Sequence, residues 1–229
     1  MTPGPSIIRR CAECGKQIRE FTAASGNAID VRRWTDGKTV YPMWPTRLRL
    51  VLCPHCCGVL WLDEQEFVGE LVPWATPGMS AVYNEALSCL DPAFDDYLTA
   101  IGRADTDRGK ERYLRLHAWW AGNDVRRNGD ATTPLSASET TNLNALVKLL
   151  DEADDYERLV KAEAIRELGQ FEDALVHLSH PFPSELLDKV RSISLLAKQR
   201  KSMVEEVKTN DRGMLGSTIF IANRGGTPR

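Results

Sequence analysis

Apolar residues follow two different periods along the chain, and the change occurs near residue 80. Before it, short apolar runs such as LRLVL and GVLWL lie between turn-forming residues. Such runs predict strands, and Asp36-Gly37, flanked by strand-forming residues, predicts a hairpin turn. After it, apolar residues recur every three to four positions, which predicts amphipathic helices. We therefore predict an α+β fold, with a small antiparallel β module over residues 1–72 and an α-helical hairpin or bundle domain over residues 80–210.

The first two helices have start and stop signals of their own. The segment DPAFDDYLTAIG begins with Asp91 as a predicted N-cap and ends at Gly102. The segment GKERYLRLHAWWAGND is predicted to end at Gly122-Asn123. Both segments have apolar residues on one face, as expected for helices that pack on a core.

The later helices are predicted from capping and periodicity. Ser136 with Glu139 fits a capping box, which predicts a helix start there. The last helix is predicted from about Ser184 to Lys208, because apolar residues recur at helical spacing through that stretch. Residues 211–229 are predicted to form a mobile tail that contains one short strand.

Four residues have side chains that are common in functional sites, but packing explains them better. His117 precedes Trp119 and Trp120 in the middle of a predicted helix. One indole is expected in the core and the other against a neighbouring element, while a lone helical histidine is usually a packed or surface residue. Cys89, in an apolar segment predicted to be helical, is expected in the core.

Composition favours a folded protein that does not span a membrane. Hydrophobic residues make up 42% of the 229, enough for a packed core. The amino terminus, MTPGPSIIRRCAEC, has no apolar segment typical of a signal peptide, and no run approaches the roughly eighteen apolar residues of a membrane-spanning helix. We expect a cytoplasmic protein, in which closely spaced cysteines more often bind metal than form disulfides.

Four of the six cysteines form two C-x2-C pairs, Cys11 with Cys14 and Cys53 with Cys56, separated by thirty-eight residues. Two residues between thiolates let one tight turn direct both sulfurs at the same ion, and two such turns complete a tetrahedral site. The spacing predicts one zinc ion per chain, bound by these four cysteines. An alternative stays open, because Cys57 can replace Cys56 as the partner of Cys53.

The two cysteine segments resemble zinc-ribbon knuckles. In the first, Gly15 directly follows the second cysteine, whereas Cys57 stands at that place in the second and Gly58 comes next. The resemblance implies that each knuckle lies at the tip of a β-hairpin. Four thiolates leave no open coordination position, so we interpret the zinc as structural. A sheet this small buries little apolar surface, and the metal is expected to supply part of its folding energy.

A second resemblance concerns the helices around residues 157–180. The run LGQFEDAL, from Leu168 to Leu175, resembles the turn and second-helix start of a tetratricopeptide repeat, with Gly169 between two helical patterns. It covers half of one repeat, and no second copy follows at the usual spacing of about thirty-four residues. The resemblance implies a packed helix pair rather than a superhelical array.

Charge is distributed unevenly along the chain. Residues 1–60 carry nine Lys or Arg and four Asp or Glu, a net +5, whereas residues 61–229 carry twenty and twenty-eight, a net −8. Phosphate contacts are conceivable for five basic residues of the first region, namely Arg32, Arg33, Lys38, Arg47 and Arg49. Against this, a zinc ion with four thiolates carries about −2, and the acidic helical region repels a polyanion.

No motif typical of a known active site occurs in the sequence. H-E-x-x-H, G-x-x-x-x-G-K-[ST] and G-x-S-x-G are all absent. We therefore predict a protein that is not an enzyme, and an active site built from residues that are distant in the sequence stays open as a third hypothesis. The favoured hypothesis is an adaptor or an accessory or regulatory subunit that binds another protein, and the alternative is a nucleic-acid-binding protein that uses the basic β module.

Overall fold

The computed structural model describes residues 1–44, 47–73, 83, 85–103, 106–129 and 132–207. Short strands precede the helices in these ranges, which confirms the predicted α+β class. The strands are β1 (Thr2–Pro3), β2 (Ser6–Arg10), β3 (Gln17–Glu20), β4 (Ala23–Ser25), β5 (Arg32–Arg33), β6 (Thr39–Val40), β7 (Leu50–Leu52), β8 (Val59–Trp61), β9 (Glu66–Leu71) and β10 (Leu87–Ser88). The α-helices are α1 (Phe94–Ile101), α2 (Arg108–Asn128), α3 (Ala137–Leu149), α4 (Asp155–Glu167), α5 (Phe171–Leu178) and α6 (Leu187–Lys198).

The largest sheet has four strands in the order β10-β3-β2-β9. Strands β2 and β3 form an antiparallel hairpin, and β10 joins β3 in parallel. Ile8 of β2 and Ile18 of β3 are fully buried, and buried and less buried residues alternate along both strands. That alternation is expected for a sheet with one covered face.

Strand β10 lies where helical periodicity was predicted, and that prediction is wrong at this point. The N–H of Cys89, just after β10, donates to the carbonyl of Arg19 at 3.1 Å. Leu90 and Leu52 exchange two backbone hydrogen bonds of 3.1 and 2.9 Å. Pairing with two existing strands therefore overrides the local pattern of apolar residues, and Cys89 is not helical as predicted.

The β7–β8 hairpin packs directly on the first two helices. Leu50 and Trp61 lie in one buried cluster with Tyr97 of α1 and with Leu114 and Ala118 of α2. Strands and helices are thus joined through a common core. The position of the boundary between the predicted β module and the helical domain stays a prediction.

The later helices pack around α4. Leu146 of α3 and Val160 of α4 share one buried cluster, and Leu159 of α4, Leu178 of α5 and Ile193 of α6 share another. The chain turns between α4 and α5 at Gly169, whose φ of 81° suits glycine. The predicted helix pair is confirmed, and its likeness to a tetratricopeptide repeat stays a prediction.

Helix starts follow the predicted capping chemistry at α3 but not at α1. The Ser136 hydroxyl accepts the N–H of Glu139, and the Glu139 carboxylate accepts the N–H of Ser136 at 2.7 Å, so the capping box is confirmed. The predicted N-cap Asp91 is wrong, because Ala93 immediately precedes α1. The N–H of Ala93 donates to the carboxylate of Asp96 at 2.8 Å, which satisfies the first turn from within the helix.

Helix α2 does not stop at Gly122-Asn123, contrary to the prediction, but continues beyond these residues. Tertiary packing explains why glycine and asparagine occur at these two positions inside the helix. A Cβ on Gly122 would lie 2.4 Å from Oε1 of Glu139, so the close approach of α3 favours glycine. Asn123 is fully buried, and its amide donates to Asp36 and Glu167. Tertiary contacts therefore override two residues that favour a helix end.

The β5–β6 hairpin inserts its tip against the helices. The predicted turn at Asp36-Gly37 is confirmed, with a φ of 88° at Gly37. Asp36 is fully buried. Its carboxylate accepts hydrogen bonds from Nδ2 of Asn123 at 3.0 Å and from the Arg127 guanidinium. A Cβ on Gly37 would lie 3.0 Å from the Tyr156 hydroxyl, so the tip also touches α4 closely.

The predicted packing of the tryptophan pair is confirmed. Trp119 is buried, and its Nε1–H donates to the carboxylate of Glu167 in α4 at 2.8 Å. Trp120 points to the hairpin instead, where its Nε1–H donates to the carbonyl of Asp36 at 3.0 Å. Each indole thus fixes α2 to a different element.

Helix α6 ends earlier than predicted, at Lys198 instead of Lys208. Arg200 has a positive φ of 53°, and the N–H of Lys201 donates back to the carbonyl of Leu196 at 3.0 Å. These are the features of a left-handed helix end, and they override the apolar spacing that continues beyond it.

After α6 the chain returns to the β5–β6 hairpin. The N–H of Val207 donates to the carbonyl of Arg33 at 2.7 Å, and the N–H of Thr35 donates to the carbonyl of Glu205 at 3.0 Å. The fully buried Arg166 of α4 donates to the carbonyl of Met203 at 3.0 Å. The returning segment is therefore held by both a strand edge and a buried guanidinium.

Two further predictions concern the tail and the membrane. The predicted mobile tail over residues 211–229, with its short strand, lies outside the described residues, as does Lys208. Within the described ranges, no helix combines the length and the apolar character needed to cross a membrane.

Candidate metal centre

The two cysteine pairs lie at the tips of two hairpins. Cys11 and Cys14 lie in the turn between β2 and β3, and Cys53 and Cys56 lie in the turn between β7 and β8. A short turn after a strand directs both of its cysteine side chains towards one point. The hairpin context that the zinc-ribbon resemblance implies is therefore present at both pairs.

The structure brings the four predicted ligands together. Their sulfur atoms all lie within 4.8 Å of one another. The distance between sulfurs is 3.9 Å from Cys11 to Cys56 and 3.7 Å from Cys14 to Cys53. Zinc bound by four thiolates at about 2.3 Å separates the sulfurs by about 3.8 Å in a tetrahedron, whereas a disulfide needs about 2.05 Å. The cluster can thus hold a metal ion.

The same backbone hydrogen bond closes both turns. The N–H of Gly15 donates to the carbonyl of Cys11 at 2.8 Å, and the N–H of Cys57 donates to that of Cys53 at 2.9 Å. Gly15 and Cys57 also share a left-handed backbone, with φ values of 72° and 60°. Cys57 thus occupies the glycine position of its turn and is exposed, while Cys56 lies in the sulfur cluster. The geometry favours Cys56 as the fourth ligand.

The surroundings of the four cysteines do not favour the ionised thiolate form at each of them. Burial raises the pKa of the Cys11 thiol to about 12 and also raises the pKa of Cys53. At Cys14 the backbone N–H of Lys16 lowers the pKa instead. Two buried thiols therefore need a nearby positive charge to ionise, and a divalent cation at the centre of the cluster supplies one. The donor set fits a thiophilic metal.

A buried glutamine connects the first turn to the hairpin that carries the second, although no sequence motif indicates it. Gln65 follows β8 by one short 3-10 helix and is 8% exposed. Its Oε1 accepts the N–H of Ala12, inside the first turn, at 2.9 Å. Its Nε2 donates to the carbonyl of Trp61, in the second hairpin, at 3.0 Å. The link that Gln65 makes is apparent only from the two hydrogen bonds of its side-chain amide.

A residue that follows α1 also touches both turns. The guanidinium of Arg103 donates to the carbonyl of Val59 at 2.7 Å, directly after the second turn. It also pairs with the carboxylate of Glu13, in the first turn, at 3.6 Å. The side chain of Glu13 in turn occupies the space over Gly58, where an added Cβ would clash with its carboxylate. The two cysteine turns are therefore in contact with the segment that directly follows α1.

Two nearby residues can be mistaken for ligands. His55 lies inside the second turn, and its Nε2 is 2.9 Å from the carbonyl of Gln17 in β3. It therefore bridges the two hairpins and does not belong to the sulfur cluster. Cys89 packs against the buried cluster that includes Cys11 and Cys53, and burial raises its pKa to about 11. It is a packing residue, as predicted, although it follows a strand.

Most of the basic residues considered for phosphate binding are engaged within the chain. Arg32 pairs with Glu206 at 2.9 Å, and Arg47 pairs with Glu20 at 2.8 Å. The partner of Lys38 is Asp124. The guanidinium of Arg49 lies over the ring of Trp61, at 5.4 Å from its centroid, and Arg33 is half-buried in β5. The positive charge of the amino-terminal region is therefore largely compensated locally.

No protein-family model, curated protein or solved structure matches this chain.

Proposed function

We propose that the four cysteines bind one structural zinc ion and that the protein is a non-enzymatic adaptor or accessory subunit. The sulfur cluster carries the first part, because its four thiols fill a tetrahedral shell and leave no position for water or substrate. Iron accepts the same ligands, and metal analysis separates the two. A structural ion holds the two hairpin tips together and thereby fixes the sheet against the β7–β8 hairpin.

The adaptor role is supported by the helices and by the compensated charges. Val176 of α5 and Leu195 of α6 are 63% and 56% exposed, so both helices present apolar side chains to solvent. Another protein could cover these side chains, since binding through the apolar face of a helix is a recurring mode of recognition. The ion pairs of Arg32, Lys38 and Arg47 leave less charge for phosphates, which weakens the nucleic-acid alternative.

Metal removal tests the structural role. Hydrogen exchange is measured by mass spectrometry on the purified protein before and after treatment with a strong chelator. The proposal predicts that peptides covering residues 1–62 lose protection and regain it with one equivalent of zinc. Equal protection of these peptides with and without metal would show that the ion is not structural.

Two binding measurements separate the adaptor from the nucleic-acid alternative. Fluorescence anisotropy with labelled DNA and RNA at low and moderate salt should show no binding at micromolar protein. Binding that falls steeply with salt would favour the alternative. A partner that crosslinks to the wild type in the source cells, but not to a zinc-retaining Leu195→Asp variant, would support the adaptor role.

A further inference from the structure

The two cysteine turns differ at one backbone donor. In the second turn Pro54 follows Cys53, and proline has no N–H to satisfy. In the first turn Ala12 stands at the same place, directly after Cys11, and contributes an N–H. Ala12 is exposed, but its N–H faces Gln65, which is 8% exposed, so the first turn has a backbone donor with a side-chain acceptor that the second turn does not need.

The other N–H groups of the first turn act within the turn, and that of Gly15 donates to the carbonyl of Cys11 at 2.8 Å. The N–H groups of Glu13 and Cys14 act on the Cys11 thiol, and the N–H of Lys16 acts on the Cys14 thiol, in the direction that lowers the thiol pKa. The N–H of Ala12 donates instead to Oε1 of Gln65. Its partner is therefore a side chain from outside the turn.

The amide of Gln65 is fixed in one orientation by its two contacts. Its oxygen faces the N–H of Ala12, and its NH2 group faces the carbonyl of Trp61, so a flipped amide would place donor against donor and acceptor against acceptor. Trp61 pairs with Leu50 in the hairpin that carries the second cysteine turn. One buried amide thus spans the two halves of the metal centre.

We propose that Gln65 is a positioning residue for the metal centre, which holds the first cysteine turn at a fixed distance from the second by satisfying the N–H of Ala12. The inference rests on the proposed zinc site. Loss of a partner that hydrogen-bonds a metal ligand directly lowers metal affinity by roughly 10- to 100-fold, and because Gln65 acts through the backbone next to Cys11, we expect the low end of that range.

The test compares the zinc affinity of Gln65→Met with that of the wild type, by competition with a chromophoric chelator. Methionine keeps the length and volume of the side chain but has neither of the two hydrogen-bonding groups. We expect the affinity to fall about tenfold. Gln170→Met is the matched control, because Gln170 is exposed before α5 and makes no capping hydrogen bond.

A rescue separates positioning from simple packing. Ala12→Pro gives the first turn the Cys-Pro sequence of the second and removes the N–H that Gln65 serves. In the Ala12→Pro/Gln65→Met double variant no unsatisfied N–H is left, so part of the lost affinity should return, although the link to Trp61 stays broken. A lower affinity that Ala12→Pro does not restore would overturn the proposed role, because packing would then explain the loss.

The wild type offers a check that requires no variant to fold. In the zinc-loaded protein, the amide proton of Ala12 should exchange as slowly as those of its neighbours in the turn, and exchange at the rate of a free peptide would overturn the inference. A wild type without zinc would refute the proposed function itself. A wild type with one zinc and an unchanged affinity in Gln65→Met would overturn only the role of Gln65.

Discussion

His117 of α2, half-buried among aromatic rings, is expected to make stability depend on pH. The ring of His117 stacks on that of Tyr113 with centroids 3.8 Å apart, and its Nδ1–H donates to the Tyr113 carbonyl at 2.8 Å. Burial lowers the pKa of His117 from 6.5 to about 4, and the positive charges of Lys38 and Arg49 act in the same direction. The folded protein therefore keeps this histidine neutral where the unfolded chain protonates it.

The sign and size of the effect follow from proton linkage. Above pH 6.5 neither state protonates His117, so its contribution to stability is fully present. As the pH falls, the unfolded state binds the extra proton, and stability is lost progressively down to the folded-state pKa of about 4. The total loss is about 3 kcal/mol, of which about 2 kcal/mol is reached at pH 5.

Urea unfolding of the wild type and of His117→Phe at pH 8, 6.5 and 5 measures this loss. Phenylalanine keeps an aromatic ring in the stack and does not titrate. Acid also protonates the cysteine thiols, but that effect is common to both proteins and cancels in their difference. The wild type should lose about 2 kcal/mol more than the variant between pH 8 and 5. Parallel pH profiles, or an NMR titration of His117 near 6.5, would refute the reasoning.

Two further variants test the backbone and the buried charges, both by urea unfolding of the metal-loaded protein. Cys57→Gly should raise the free energy of unfolding by about 0.5–1 kcal/mol, because relief of the left-handed strain at a φ of 60° exceeds the entropy cost of glycine; a less stable variant would contradict this. Arg166→Met should lower it by about 3–5 kcal/mol, because it leaves the fully buried Glu163 carboxylate unpaired and the carbonyl of Met203 without its donor. A loss below about 1 kcal/mol would show that water or rearrangement replaces the guanidinium.

The features that the sequence predicts correctly depend on short-range chemistry. Two residues between Cys11 and Cys14 suffice to place both sulfurs on one side of a turn, whatever surrounds it. The capping box of Ser136 and the left-handed turn at Gly169 likewise involve only neighbouring residues. Such signals depend little on the rest of the fold, which is why the knuckles, the helix pair and the α+β class could be predicted.

The features that the sequence missed depend on contacts between distant residues. In the sequence, Gly122 and Asn123 resemble a helix end. In the structure, Glu139 lies against Gly122 and Asp36 accepts a hydrogen bond from Asn123. The Gln65 amide has no motif, because its two partners come from different hairpins. Arg32, Lys38 and Arg47 resembled a phosphate-binding surface because the carboxylates that pair with them are distant in the sequence.

The most direct test of the account is the metal content of the protein, determined by elemental analysis after purification without added metal. We predict one zinc per chain in the wild type, loss of that zinc in Cys53→Ser, and retention in Cys57→Ser and Cys89→Ser, since these two cysteines lie outside the sulfur cluster. No zinc in the wild type, iron in its place, or a Cys53→Ser variant that keeps its zinc would contradict the structural zinc centre on which the proposed function depends.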